Sequence, residues 1–400
     1  GYIMSNERYQ GKFFEYFGEL NDTRQEGKVH HKLTDILFIV VCGILCGHDE
    51  WDDICTWASA STSQAWLKKY IAVANGIPSL STLKRGFAVI ESKEFSSRFI
   101  EWMAAAINLP VKDIISVDGK TSRGSKDKSK EQKALHIVSA FCHSHGLIVG
   151  QTRTDEKSNE ITAIPELLDQ LMIKGCIVSI DAMGAQKKIV KKIVVEKEAD
   201  YVINLKGNQE TLHNEVKEYF EELTQSGELP NLQKQTETES KIGVYTTLEK
   251  GHGRIERRTY FYSTDLDWMI DAKRDWTKLT GIGMVIREVE FISEPIKKTM
   301  ETAHYIGSVD NVTDFASAAR NHWGVESMHW SLDVTFKDDQ NRTREAAASQ
   351  NLAIAKRMVF NVLKNETKIK PKMSKPNKRI VAATDSEYRD VLINMILNQS

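Results

Sequence analysis

The chain has 400 residues, 41% of them hydrophobic and 27% charged, with 54 Lys+Arg against 55 Asp+Glu. That composition is ordinary for a globular protein and excludes wholesale disorder, collagen-like repeats and, with 7 prolines, long proline-rich linkers. A formal charge of −1 excludes an all-over basic coat but not basic patches, and the length fits roughly two or three domains with a core that needs no metal or disulfide staple.

Residues 4–110 read as a helical amino-terminal region, with Met4 a natural start and no signal-peptide pattern. The stretch 33–46 is almost continuously apolar, a buried helix too short for the about 20 residues of a bilayer span. Cys42, Cys46 and His48 could be imagined as metal ligands, but both cysteines sit in that apolar run and read as core thiols. Five cysteines without a CxxC pair point to reduced thiols in a cytosolic protein. Pro78-Ser79 opens a helix carrying Lys84 and Arg85, similar to the start of a DNA recognition helix. A helix over 94–107 closes the region before Pro110.

From residue 111 the pattern changes. Residues 111–206 hold an apolar run ending in Asp118-Gly119, strands over 136–141 and 147–152, a helix over 161–171, an apolar run ending at Asp181, a helix over 186–198 and a strand over 201–205. That order predicts a mixed sheet with helices on its faces. Residues 207–310 interrupt it with a polar helix (210–223) and alternating strands (244–248, 258–262, 281–291, 300–306), an inserted β-rich unit. Residues 311–367 carry helices over 316–334 and 345–364, and 368–400 read as a basic, loop-like tail with a short helix over 385–397. Two runs are strongly basic: 120–133 has six basic and two acidic residues, and 364–379 has seven basic and one acidic. Such runs are solvated faces or phosphate sites.

Asp118 and Asp181 each end a short apolar run. The end of a buried strand in an open α/β sheet is where active sites form. A carboxylate there is costly unless it is paired or holds a cation; the plainer alternative is that each opens a loop or caps a helix. On the following helix, His322, Glu326, His329 and Asp333 fall at i, i+4, i+7 and i+11 and share one face. With Trp323 and Trp330 beside them, this is neither an ordinary core face nor a solvated one. Two strand-end aspartates and a helical glutamate make an oxygen-only set suited to Mg²⁺ or Mn²⁺. Two such ions about 4 Å apart clamp the attacking and leaving oxygens of an in-line phosphoryl displacement. The basic runs would then serve phosphates.

These segments, together with ISVDGKTSRGS (115–125), SIDAMGAQKKI (179–189), ADYVINLKGNQ (199–209), HGRIERR (252–258), RNHWGVESMHWSLDVTF (320–336), the Asp338-Asp339 pair and NLAIAKRMVFNVLK (351–364), make the chain resemble the DDE transposases of insertion sequences, in their H-repeat-associated branch. The resemblance covers nearly the whole chain. It implies an α/β, RNase H-like mixed sheet with flanking helices, interrupted by a β-rich insertion (207–310) and preceded by a helical transposase-associated domain. It implies Asp118, Asp181 and Glu326 as the catalytic, metal-binding triad for Mg²⁺, with Mn²⁺ as a substitute. His322, His329, Asp333, Lys120, Arg123, Lys206 and Arg320 are then expected behind the ligands or against DNA. The implied partners are double-stranded DNA (the element's terminal inverted repeats and the target) and a second copy in the active complex. No membrane is implied, and the setting is the bacterial cytoplasm and nucleoid. Many related enzymes carry Tyr, Arg and Lys where this chain has Ala319, His322 and Asp333; the H-repeat branch itself favours His and Asp there. The departure removes the basis for a hairpin-binding role. The competing readings are an RNase H-fold nuclease without transposition and a domesticated DNA-binding protein; the intact acids argue against the second.

Overall fold

The computed structural model describes residues 8–122, 135–154, 160–181, 186–229, 241–293, 297–336 and 346–398. Residues 8–106 are mainly helical: α1 (Lys12–Phe17), a 3₁₀ turn (Glu26–Lys28), α2 (Leu33–Leu45), α3 (Trp51–Ser59), α4 (Ser61–Leu67), α5 (Leu80–Val89) and α6 (Ser92–Ala106). Every side chain of α2 is buried, as its unbroken apolar run requires. Cys42 and Cys46 lie inside that packing, and burial pushes the Cys46 thiol up to about 11. Both are inert core thiols.

The chain then forms β1 (Ile114–Ser122), β2 (Leu135–Cys142), β3 (Leu147–Thr154), α7 (Glu160–Gln170), β4 (Ile177–Ile180), α8 (Lys187–Lys191) running into a π turn (Lys192–Glu196), and β5 (Asp200–Leu205). β1, β4 and β5 are parallel neighbours; on the other side of β1, β2 pairs antiparallel with β1 and β3 pairs antiparallel with β2. The detour that follows comprises α9 (Glu210–Ser226), β6 (Ile242–Gly251), β7 (Arg254–Ser263), α10 (Ile270–Asp275), β8 (Gly281–Phe291) and β9 (Lys298–Gly307). Its strands do not form a separate β unit. β9 pairs antiparallel with β5, Val202 opposite Gly307, so one nine-stranded mixed sheet runs β3-β2-β1-β4-β5-β9-β8-β7-β6. The return strand covers the edge that β5 would otherwise leave unpaired.

Four helices close the chain: α11 (Val312–Phe336), α12 (Ala346–Asn365), α13 (Lys375–Thr384) and α14 (Ser386–Asn398). The loop-like tail expected after residue 368 is therefore largely helical. Ser374 caps α13 by accepting the Asn377 N–H (3.3 Å). Two residues of the second basic run are buried. Lys378 donates to the carbonyls of Leu363 (2.8 Å) and Glu366, and Arg379 donates to Ile44 (2.8 and 2.9 Å), Thr335 and Asp49. These cations satisfy helix-end carbonyls rather than phosphates.

α11 joins two cores. Its first half (Phe315, Ala316, Ala318, Ala319) packs on the sheet with Tyr260, Tyr262 and Tyr305. Its second half (Val325, Met328, Leu332, Phe336) enters the helical core with α2, α12 and α14. Close approach to the sheet depends on Gly283, where a Cβ would come within 2.8 Å of three carbons of the Phe315 ring, and on Gly243 beneath Val312. Among the described residues no helix is long and apolar enough to cross a membrane.

Candidate active site

The parallel register decides where the two aspartates meet. Val117 pairs with Ile180 as the last rung between β1 and β4. Asp118 is the next residue of β1 and Asp181 the first residue after β4, so the register carries both to the same end of the sheet. β4 ends there, whereas β1 continues along β2 to Ser122. The Asp118 Oδ1 accepts the Gly119 N–H at 2.9 Å, which orients the carboxylate at the strand exit.

α11 lies across this point. Ser116 Oγ donates to the Asn321 carbonyl at 3.4 Å, Ser179 Oγ sits 3.5 Å from His322 Nδ1, and His329 Nδ1 sits 3.9 Å from Asp118 Oδ2. His322 thus stands over β4 and His329 over β1. Burial lowers the pKa of His322; Asp181 and Glu326 pull it upward, and Lys206 adds to the lowering. Lys206 follows directly on the last residue of β5. Glu326 is exposed, while Val325 and Met328 on its flanks are buried. Asp333 is half-buried two turns further along.

Arg320 is directed to the outer sheet edge, where it ion-pairs with Glu249 of β6 at 2.9 Å. Arg123, Asp338 and Asp339 lie outside the described residues, as do Lys126 and Lys128. For Lys120 and Trp323 only the backbone is described. Sequence reasoning missed the serines. Ser116 and Ser179 pair with each other in register, each two residues before an aspartate. The repeated Ser-x-Asp was the available signal: a small hydroxyl on the aspartate's face lets the helix approach and bonds to it.

Among the described residues, no three His, Cys, Asp or Glu side chains converge into a metal-binding cluster. The donor chemistry of Asp118, Asp181 and Glu326 is nonetheless all-oxygen and anionic, which fits Mg²⁺ or Mn²⁺.

Comparison with known proteins identifies the family. The family model described as "Transposase DDE domain" matches residues 109–362, and the one described as "DDE_Tnp_1-associated" matches 14–103. The chain is 38% identical over 372 residues to "Putative transposase YncI" of Escherichia coli O157:H7, covering 92% of each chain. It is 37% identical over 380 residues to "H repeat-associated putative transposase YhhI" of Escherichia coli K12, covering 94% of this chain and 96% of that one. A third relative, "Uncharacterized protein in dhlA 3'region" of Xanthobacter autotrophicus, is 40% identical over 256 residues, 64% of this chain and 81% of its own.

Proposed function

The chain belongs to the DDE transposase family, and from that premise we propose that it cleaves DNA strands at the ends of an insertion sequence and transfers them to target DNA. The reading assigns Asp118, Asp181 and Glu326 as the catalytic acids and as the ligands of two divalent cations, Mg²⁺ with Mn²⁺ as a substitute. The observation that carries it is the register that ends the pairing of β1 and β4 one residue before each aspartate, with α11 in contact with both strands. The strand order β3-β2-β1-β4-β5 supports reading the core as RNase H-like. The proposal further takes residues 4–110 as the DNA-binding unit, 207–310 as the insertion and two copies in the active complex.

When bound, the cations supply positive charge for in-line displacement at phosphorus. The chain's own residues do the positioning. Asp118 and Asp181 fix two carboxylates at a rigid strand exit. His329 stands 3.9 Å from Asp118 and His322 meets Ser179, two residues before Asp181, so in this reading the two imidazoles orient the acids. Lys206 brings a positive charge to the same end of the sheet. Such chemistry would act on nucleoid DNA in the cytoplasm.

The test is incubation of the full-length protein with duplexes bearing the element's ends and Mg²⁺ or Mn²⁺, with nicks mapped to the nucleotide. Metal-dependent nicks at the element boundary, followed by joining to a target, support the reading. Nicks without joining leave a nuclease. Binding without nicks leaves a DNA-binding protein and overturns it.

A further inference from the structure

A groove of about 560 Å³ lies between α5 and the segment around the 3₁₀ turn, far in sequence from the carboxylates. Its floor is largely apolar, with Gly86, Ala88 and Val89 of α5, and Arg24, Gln25, His30, His31, Thr82 and Arg85 set polar groups around it; among the described residues no carboxylate lines it. Arg24 shapes the wall. It is held by Asp22 at 2.7 to 3.2 Å and donates to the His31 carbonyl at 2.7 Å, so its charge is compensated. Asn75 donates to the His30 carbonyl at 2.6 Å and fixes the other flank. Arg85 is exposed and, among the described residues, has no hydrogen-bond or ion-pair partner.

The helix that carries Arg85 is immobilised. Ser79 caps it by accepting the Thr82 N–H at 3.2 Å. Asn351 of α12 clamps its other end by donating to the carbonyls of Phe87 (2.7 Å) and Ile90 (2.9 Å). Its inner face (Leu83, Gly86, Phe87) is buried, so the outer face is held in fixed relation to α12. A rigid groove with one compensated and one exposed guanidinium, two imidazoles, a hydroxyl and an amide offers donors to an acceptor-only anion.

We propose that this groove binds the phosphate backbone of duplex DNA and sets its register. The inference rests on the DNA-acting function proposed above and adds a location to it. Backbone contacts of this kind position a protein without reading bases. Arg85 is the principal charge, and Gln25 is a neutral rim position where charge can be added without disturbing a bond of its own.

The test is fluorescence anisotropy of the full-length protein with a labelled duplex across about 50 to 200 mM salt. Arg85→Ala should weaken binding about threefold or more to any sequence and reduce the salt slope by about one. Arg85→Lys should keep the slope. Gln25→Lys should tighten binding and Gln25→Glu should weaken it, a pair of opposite effects that misfolding does not produce. If the wild-type protein binds duplex and all four variants match it, the groove is not the site while the DNA-acting reading stands. If variants at Arg85 and Gln25 alter binding of an acidic protein partner but not of duplex, the groove proposal is also overturned. If the wild type binds no duplex, both fall.

Discussion

Gly283→Ala tests how α11, the helix that carries Glu326, is held. The new methyl would come within 2.8 Å of three carbons of the Phe315 ring, whereas carbon contacts settle at about 3.5 to 4.0 Å. The ring must retreat by about 1 Å, and it has little room, since it stacks on Tyr262 at 4.9 Å and meets Tyr305 edge-on at 5.3 Å. Overpacking of this kind costs about 1–3 kcal/mol. The strain enters at the first turn of α11, the helix that sets Glu326, His322 and His329 over the aspartates. Small displacements of catalytic groups cost up to about a hundredfold in rate. Denaturant melts should therefore show a loss of about 2 kcal/mol, and metal-dependent cleavage should fall more than DNA affinity does. Phe315→Leu in the same chain removes the ring edge, so the double variant should recover at least about 1 kcal/mol relative to additivity. An unchanged melt and cleavage rate for Gly283→Ala, or strict additivity with Phe315→Leu, would refute the account of how α11 docks.

Other expectations follow from the same contacts. Arg379→Leu strips the Ile44 and Thr335 carbonyls of a buried donor and breaks the pair with Asp49, and should destabilise by about 3–5 kcal/mol in denaturant melts; a loss below about 1 kcal/mol contradicts the structural role given to this cation. His304 lies 3.3 Å from His213 between β9 and α9, and burial, reinforced by His213 and Lys217, lowers it to about 4. Unfolded imidazole titrates near about 6.5, so the unfolded chain binds more protons in between. Stability should fall as pH drops through about 6.5 and level off below about 4, by at most about 3 kcal/mol, and His304→Gln should flatten that slope. An equal slope in the variant places the titration elsewhere. Along α11, Glu326→Gln should abolish cleavage, whereas Asp333→Asn, seven residues and about 10 Å further on, should only reduce it; the reverse ranking would move the catalytic acid by two turns.

Much of the sheet was legible because its strands are short, apolar and bounded by turns. The pairs 136–141 with 147–152, and the four strands of 207–310, recur within a few residues of β2, β3 and β6 to β9. The helical stripe from His322 to Asp333 was legible through its period. What the local pattern could not carry was non-local pairing. Nothing in the sequence around Tyr305 says that it will run beside Asn204, so the insertion read as a separate unit although β9 extends the sheet. Charge was misread where it is compensated by backbone. Lys378 and Arg379 look like a phosphate patch until the carbonyls of Leu363 and Ile44 are brought to them by folding. The groove beside α5 was half visible: Lys84 and Arg85 stood out on a capped helix, but Arg24 and His30 reach it from fifty residues away.

The most direct measurement is cleavage by Asp181→Asn and Asp118→Asn proteins beside wild type, at matched DNA occupancy and with Mg²⁺ or Mn²⁺ present. Each change removes one of the two charges at the strand exit and keeps its size. The account predicts that nicking at the element boundary falls by at least about a thousandfold in both, with duplex affinity retained. Wild-type nicking by either variant would contradict the assignment of this aspartate pair as the catalytic centre.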